Sequence, residues 1–207
     1  MVAIIDYGAG NLASVEKALH FIGCEAEITD DKNRIAAADG VILPGVGSFG
    51  DCMNSMRSKG LDAAVIRAAG SGKPFLGICL GLQLLFEDSE ESPGIPGLGI
   101  LKGHIRRIPS DTGLKVPHIG WNSLQITQRN GIFRSVDQNA YVYFVHSYYL
   151  DAADKSQVAA TAEYGVKIDA AVQTGNICAV QFHPEKSGNV GLEILRNFAD
   201  LVREGGC

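Results

Sequence analysis

The 207-residue sequence has no basic run, no apolar stretch approaching the length of a membrane span, no Cys-x-x-Cys pair and a single tryptophan. The first absence, together with a formal net charge of -5, argues against nucleic acid or an anionic membrane as the main partner. The second argues against a membrane protein. Five cysteines, at Cys24, Cys52, Cys79, Cys178 and Cys207, are an odd number without metal-site spacing, which suits a reducing compartment better than a disulfide framework or a zinc site. Residues 1–6 lack the basic n-region of a secretory signal, and Asp6 interrupts their apolar run. The expectation is a cytoplasmic protein whose partner is a small molecule or another protein.

What is present fits one globular domain over residues 1–207, with 46% hydrophobic and 20% charged residues. In the first half short apolar runs alternate with helical patterns, the signature of a parallel sheet covered by helices. Strands are expected at 2–6, 24–29, 41–43 (stopped by Pro44 and Gly45) and 74–78, with helices at 12–22, 34–38, 61–69 and 80–86. In the second half, strands at 100–108, 124–127, 141–150, 158–163, 170–173 and 177–182 predict an antiparallel extension, followed by a helix over 190–202. The acidic Pro/Gly-rich stretch at 87–97 predicts a solvated loop without regular structure.

Gly77-Ile78-Cys79-Leu80-Gly81 sits between an apolar strand and an apolar helix, matching a nucleophile elbow with sulfur in place of oxygen. A sharp strand-to-helix turn strains the backbone at the nucleophile and packs chain closely around it. Glycines two residues away on either side remove the side chains that would collide. The turn also puts Cys79 at a helix N-terminus, where the dipole favours thiolate, and frees the Leu80 N–H to face an oxyanion. A free cysteine is more often a small core residue, and that reading or surface exposure is kept for the other four.

A base is needed elsewhere. Gln181-Phe182-His183-Pro184-Glu185 ends an apolar strand, and in an extended chain His183 and Glu185, two residues apart, share one side. Pro184 biases His183 away from helix, and Glu185 can then fix the tautomer of His183 and stabilise its imidazolium. His20, His104 and His118 are taken as structural. The segment 44–50 carries three glycines and is open to three readings: phosphate cradle, oxyanion hole or plain loop, although it lacks the Gly-Lys-Ser/Thr ending of a P-loop.

Together, 44–50, 77–81 and 183–185 resemble the class I (triad-type) glutamine amidotransferases, in the expected order and across nearly the whole chain. The resemblance implies a flavodoxin-like mixed α/β sheet with a parallel core, an antiparallel extension and helices on both faces. It implies a glutaminase in which Cys79 attacks the side-chain amide of L-glutamine and His183, oriented by Glu185, protonates the departing ammonia. It places Leu80 and the Gly45–Val46–Gly47 loop at the oxyanion, and Gly47, Gln83, Ser147 and Tyr148 at the bound glutamine. It implies no cofactor and no metal. The segments 6–11, 76–86, 118–122, 143–148 and 181–187 are similar to the branch of the family that serves histidine biosynthesis. There the partner is a (β/α)8-barrel cyclase that receives ammonia through an internal channel and makes imidazole glycerol phosphate and aminoimidazole carboxamide ribonucleotide. Asn11, Trp121, Tyr143 and Lys186 match its interface positions. For Trp121 the flanking Gly120 and Asn122 favour an irregular surface segment over a core role. Three alternatives stay open at this point: an amidotransferase of another pathway, such as anthranilate or pyridoxal phosphate synthesis, an inactive scaffold subunit, and a flavodoxin-like nucleotide module.

Overall fold

A computed structural model describes residues 1–110 and 113–205 of the chain, so Cys207 lies outside the described residues. The first half lays down strand, helix, strand: β1 (Val2–Ile5), α1 (Leu12–Phe21), β2 (Ala26–Thr29), α2 (Lys32–Ala37) and β3 (Gly40–Gly45). Two helices follow, α3 (Phe49–Ser58) and α4 (Asp62–Ala69), then β4 (Phe75–Cys79) and a short α5 (Leu80–Leu84). The second half contains β5 (Asp88–Ser89), β6 (Gly103–Arg107), β7 (His118–Ser123), β8 (Gln125–Ile126), β9 (Tyr141–His146) and β10 (Tyr148–Ala152). It ends with β11 (Val158–Glu163), β12 (Lys167–Thr174), β13 (Ile177–Val180) and α6 (Gly188–Glu204).

The main sheet has eight strands in the order β2-β1-β3-β4-β13-β12-β11-β8. From β2 to β13 neighbouring strands are parallel, and β12, β11 and β8 continue antiparallel. Strand alternation divides the core into two layers. Val2, Ile4, Ile42, Leu76 and Ile78 face α1 and α6, whereas Ala3, Ile5, Val41, Leu43 and Phe75 face α2, α3 and α4. The class expected from the sequence is therefore the class observed, a mixed sheet with helices on both faces. Smaller sheets of three strands (β10-β6-β5) and two strands (β7-β9) complete the fold.

Several local expectations change. Pro44 and Gly45 do not stop β3; they continue it, paired with Ile78 and Cys79 of β4. Proline is tolerated because the pairing of β3 with β1 ends at Ile42, so Pro44 lies where the strand has only one neighbour. Helix α3 was not expected; its local signal is Ser48, whose Oγ caps the N–H of Asp51 three residues on. The 87–97 stretch is not a plain solvated loop, because β5 lies inside it, Ser89 is buried, and Glu91 and Ser92 accept the N–H groups of Phe49 and Gly50 at the start of α3. The run at 141–150 is two strands in two different sheets, with Ser147 between them. The segment around Trp121 is regular: β7 pairs antiparallel with β9 from His118↔His146 to Ser123↔Tyr141.

Candidate active site

The elbow forms where β4 runs straight into α5. Cys79 is the last strand residue and the helix cap at once, with φ 56° and ψ -113°, a left-handed backbone that costs a non-glycine residue on the order of 1–3 kcal/mol. The flanking glycines have the predicted steric reason. A Cβ on Gly77 would lie 3.0 Å from the Gly81 carbonyl oxygen, and one on Gly81 would run into the carbonyl of Leu43. Crowding thus holds the strained residue in place.

The other groups come from beyond the C-terminal end of β13, the edge where sheets of this kind hold ligands. Gln181 and His183 are buried there, and the Nε2 of Gln181 lies 3.8 Å from the Cys79 sulfur. His183 itself is extended, but Pro184–Lys186 form a 3-10 turn. The turn, rather than strand alternation, brings Glu185 Oε1 to 2.9 Å from His183 Nδ1, so the geometry assumed from the sequence is corrected while the pairing remains. Because Nδ1 faces a carboxylate it carries the proton, leaving Nε2 for chemistry. Nε2 is buried and has no hydrogen-bond partner among the described residues, as has Glu185 Oε2.

Burial works against a charge on His183, but the Cys79 sulfur and the Glu185 carboxylate outweigh it and hold the ring up at about 9. The ring is therefore a proton donor at neutral pH. Asn11, ahead of α1, adds an Nδ2 contact to Glu185 Oε1 at 3.5 Å.

A cleft of about 390 Å³ opens in front of the sulfur, large enough for one amino acid. Its walls include Val46, Gly47, Cys79, Leu80, Gln83, Ser147, Tyr148 and His183. Gly45 does not line it. A Cβ at Gly45 would lie 2.7 Å from the Tyr7 hydroxyl and 2.8 Å from the Gly81 nitrogen, so that glycine serves the close approach of β3 to the elbow. Gln83 is buried, its Nε2 donating to the Tyr148 carbonyl and to Gln181 Oε1, both at 3.0 Å. Sequence reasoning missed four wall residues, Glu91, Pro117, Val145 and His146. Glu91 was hidden in a stretch whose composition reads as solvated, and its contact with the start of α3, 42 residues earlier, leaves no local signal.

Asn11, Trp121 and Tyr143 border the 183–188 segment, which itself contains Lys186. Trp121 stands 55% exposed, edge-on to Tyr143 with ring centroids 6.1 Å apart, and its ring lies 3.9 Å from where a Cβ on Gly188 would be. Lys186 is exposed beside Glu185. With Ile119 and Tyr141, each 59% exposed, the outer face of the β7-β9 ribbon presents large apolar groups to solvent. Among the described residues, no cluster of three or more His, Cys, Asp or Glu side chains could hold a metal ion.

A strained cysteine on a strand-to-helix elbow and a buried histidine backed by a glutamate thus line one amino-acid-sized cleft. The chain belongs to the class-I glutamine amidotransferases, whose family model, described as "Glutamine amidotransferase class-I", matches residues 3–201. More particularly, it is 51% identical to the imidazole glycerol phosphate synthase subunit HisH of Moorella thermoacetica over 205 residues, covering 99% of this chain and 97% of that one. It is likewise 51% identical to the subunit of the same name from Syntrophotalea carbinolica, covering 97% of this chain and all (100%) of that one. In fold it matches a crystal structure of a glutamine amidotransferase with a TM-score of 0.75 at 20% identity, over 98% of this chain and 100% of the other.

Proposed function

We propose that the chain hydrolyses glutamine to glutamate and ammonia as the glutaminase subunit of imidazole glycerol phosphate synthase, in histidine biosynthesis. The observation that supports this is that Cys79 and His183 line a cleft of about 390 Å³ with Glu185 bonded to His183 at 2.9 Å, together with 51% identity to near-full-length relatives of that name.

In this reading Cys79 is the nucleophile. Its sulfur adds to the side-chain amide carbon of glutamine, the C–N bond breaks, and the His183 imidazolium gives its Nε2 proton to the nitrogen, so that ammonia leaves and a glutamyl thioester stays on the sulfur. Water, deprotonated by His183, then adds to the thioester; the C–S bond breaks and glutamate departs. Glu185 stabilises the imidazolium. The Leu80 N–H faces the oxyanion, and the Val46–Gly47 loop brings the second donor by reorienting. Gln83, Ser147 and Tyr148 hold the substrate, and the Glu91 carboxylate in the cleft wall complements its ammonium group.

The ammonia passes by an internal channel to a (β/α)8-barrel cyclase, which makes imidazole glycerol phosphate and aminoimidazole carboxamide ribonucleotide. The exposed Ile119–Trp121–Tyr141 face, bordered by Asn11, Tyr143 and Lys186, is the docking surface for that partner. Residues 1–207 act as a single domain, in the cytoplasm and without a cofactor. The direct test is mass spectrometry after treatment with a glutamine-like electrophile. The adduct is expected on Cys79, and modification confined to other cysteines would remove the nucleophile assignment.

A further inference from the structure

Behind the cleft wall lies a feature that the reaction sequence above does not use. His118 on β7 and His146 on β9 stand opposite each other in the ribbon, both buried, with His118 Nδ1 3.1 Å from His146 Nε2. His146 Nδ1 lies 2.8 Å from the Tyr148 carbonyl oxygen. The proton positions follow by elimination. A carbonyl only accepts, so His146 carries its proton on Nδ1; its Nε2 must then accept, and His118 donates from Nδ1.

The arrangement is held from every side. The His118 ring is stacked against Tyr164 at 3.8 Å and Phe144 at 4.9 Å between centroids. The same Tyr148 carbonyl takes a second bond from Gln83, which is tied through Gln181 to the Cys79 sulfur. Here the backbone leaves one sheet after His146 and enters another at Tyr148, with Ser147 belonging to neither strand. At the switch the Ser147 carbonyl accepts the Ile108 backbone N–H at 2.9 Å, whereas the Tyr148 carbonyl is held by the side chains of His146 and Gln83. Burial first, and in His146 the neighbouring His118 and His183 rings as well, keeps both imidazoles neutral: His118 is pushed down to about 4 and His146 to about 3. The direction of the hydrogen bonds is thus the same throughout the neutral range.

We propose that His118 and His146 are a positioning pair for the amino-acid subsite: two hydrogen-bonded rings in series that set the Tyr148 carbonyl, and through it Gln83 and the Ser147–Tyr148 wall. The inference rests on the glutamine reading and adds to it a residue, His118, that lies outside the cleft and touches no substrate.

The test is protection of Cys79 by glutamine against alkylation with iodoacetamide, followed at Cys79 by mass spectrometry on the full chain. His118→Phe keeps the stacking but removes the donor. It is expected to raise the half-protecting glutamine concentration about tenfold, the effect of one net hydrogen bond, while the alkylation rate without glutamine stays within about twofold. His118→Asn carries an amide N–H where Nδ1 was, and is expected to stay within about threefold of the unsubstituted chain. His118→Gln places its amide one bond too far out and is read as the second impaired variant, in place of His118→Phe should that chain not fold. Equal half-protection in all variants would overturn the inference. So would impairment of His118→Asn equal to that of the other two, since the ring would then matter for packing alone. No protection of the unsubstituted chain would instead remove the glutamine reading, and the inference with it.

Discussion

The elbow at Cys79 and the loop at Val46–Gly47 lie side by side at the ends of two paired strands, with Gly45 opposite Cys79, yet they are built in opposite ways. The elbow has no spare room: Gly77, Gly81 and Gly45 are each at or inside the contact limit for an added Cβ. Around Gly47, with φ 102°, nothing lies within 4 Å of such an atom. The loop is secured instead by two hydrogen bonds at its carbonyls, from the Tyr7 hydroxyl to Pro44 O at 2.8 Å and from Cys52 Sγ to Val46 O at 3.5 Å. The difference teaches that Cys79 is placed by packing, whereas the loop is retained by hydrogen bonds. Such a division agrees with the function proposed above, in which the Cys79 thiol stays in place and the Val46–Gly47 loop reorients.

The comparison can be broken at several points. The largest effect is expected at the elbow. Cys79→Ala should lower partner-stimulated ammonia release at least about a thousandfold while leaving complex formation intact, and a steady-state assay with a pull-down of the partner checks both. Next is the contrast between two glycines. Gly81→Ala drives a Cβ into the Leu43 backbone and should destabilise by more than about 3 kcal/mol, whereas Gly47→Ala meets only its positive φ and should cost about 1–2 kcal/mol. Chemical denaturation measures both, and equal losses would dissolve the distinction between a packed and an open region.

A third test concerns the fixed side of the cleft. His118 and His146 stay neutral when folded down to about 4 and about 3, whereas in the unfolded chain they titrate near their ordinary value of 6.5. Below that value the unfolded state binds more protons. The stability these rings contribute is therefore complete above about pH 6.5 and drains away as pH falls toward 4 and 3, by up to about 1.4 kcal/mol per pH unit for each ring. Denaturation midpoints between pH 7 and 4.5 in the unsubstituted chain and His118→Asn would show it, with the variant's slope shallower by one ring. The smallest effect is expected at Cys52→Ala, which releases Val46 O. It should cost about 1 kcal/mol of stability and raise partner-independent glutamine hydrolysis a few-fold. An unchanged rate would mean that the loop is held elsewhere.

Much of this was legible in the sequence because it rests on short-range pattern. The elbow glycines, the alternation of strands and helices, and His183-Pro184-Glu185 are local signals with local causes. What was not legible depends on long-range partners. Pro44 continues a strand only because β4 lies on one side of it and β1 has already ended on the other. The acidic stretch is ordered because Glu91 and Ser92 cap a helix some forty residues earlier in the chain, which also carries Glu91 into the cleft. Ser147 divides what reads as a single run of β-formers because its two halves pair with different strands. The histidine pair was invisible for the same reason: His118 read alone is an ordinary structural residue, and only the register of β7 against β9 gives it a partner.

The measurement that tests the account most directly is the rate of glutamate formation by the chain alone and mixed with the histidine-pathway cyclase loaded with its nucleotide ligand. Slow hydrolysis alone and stimulation of at least about a hundredfold in the loaded complex, all of it lost in Cys79→Ala, is the predicted result. A chain that is fully active by itself, or one that the cyclase does not stimulate, would contradict it.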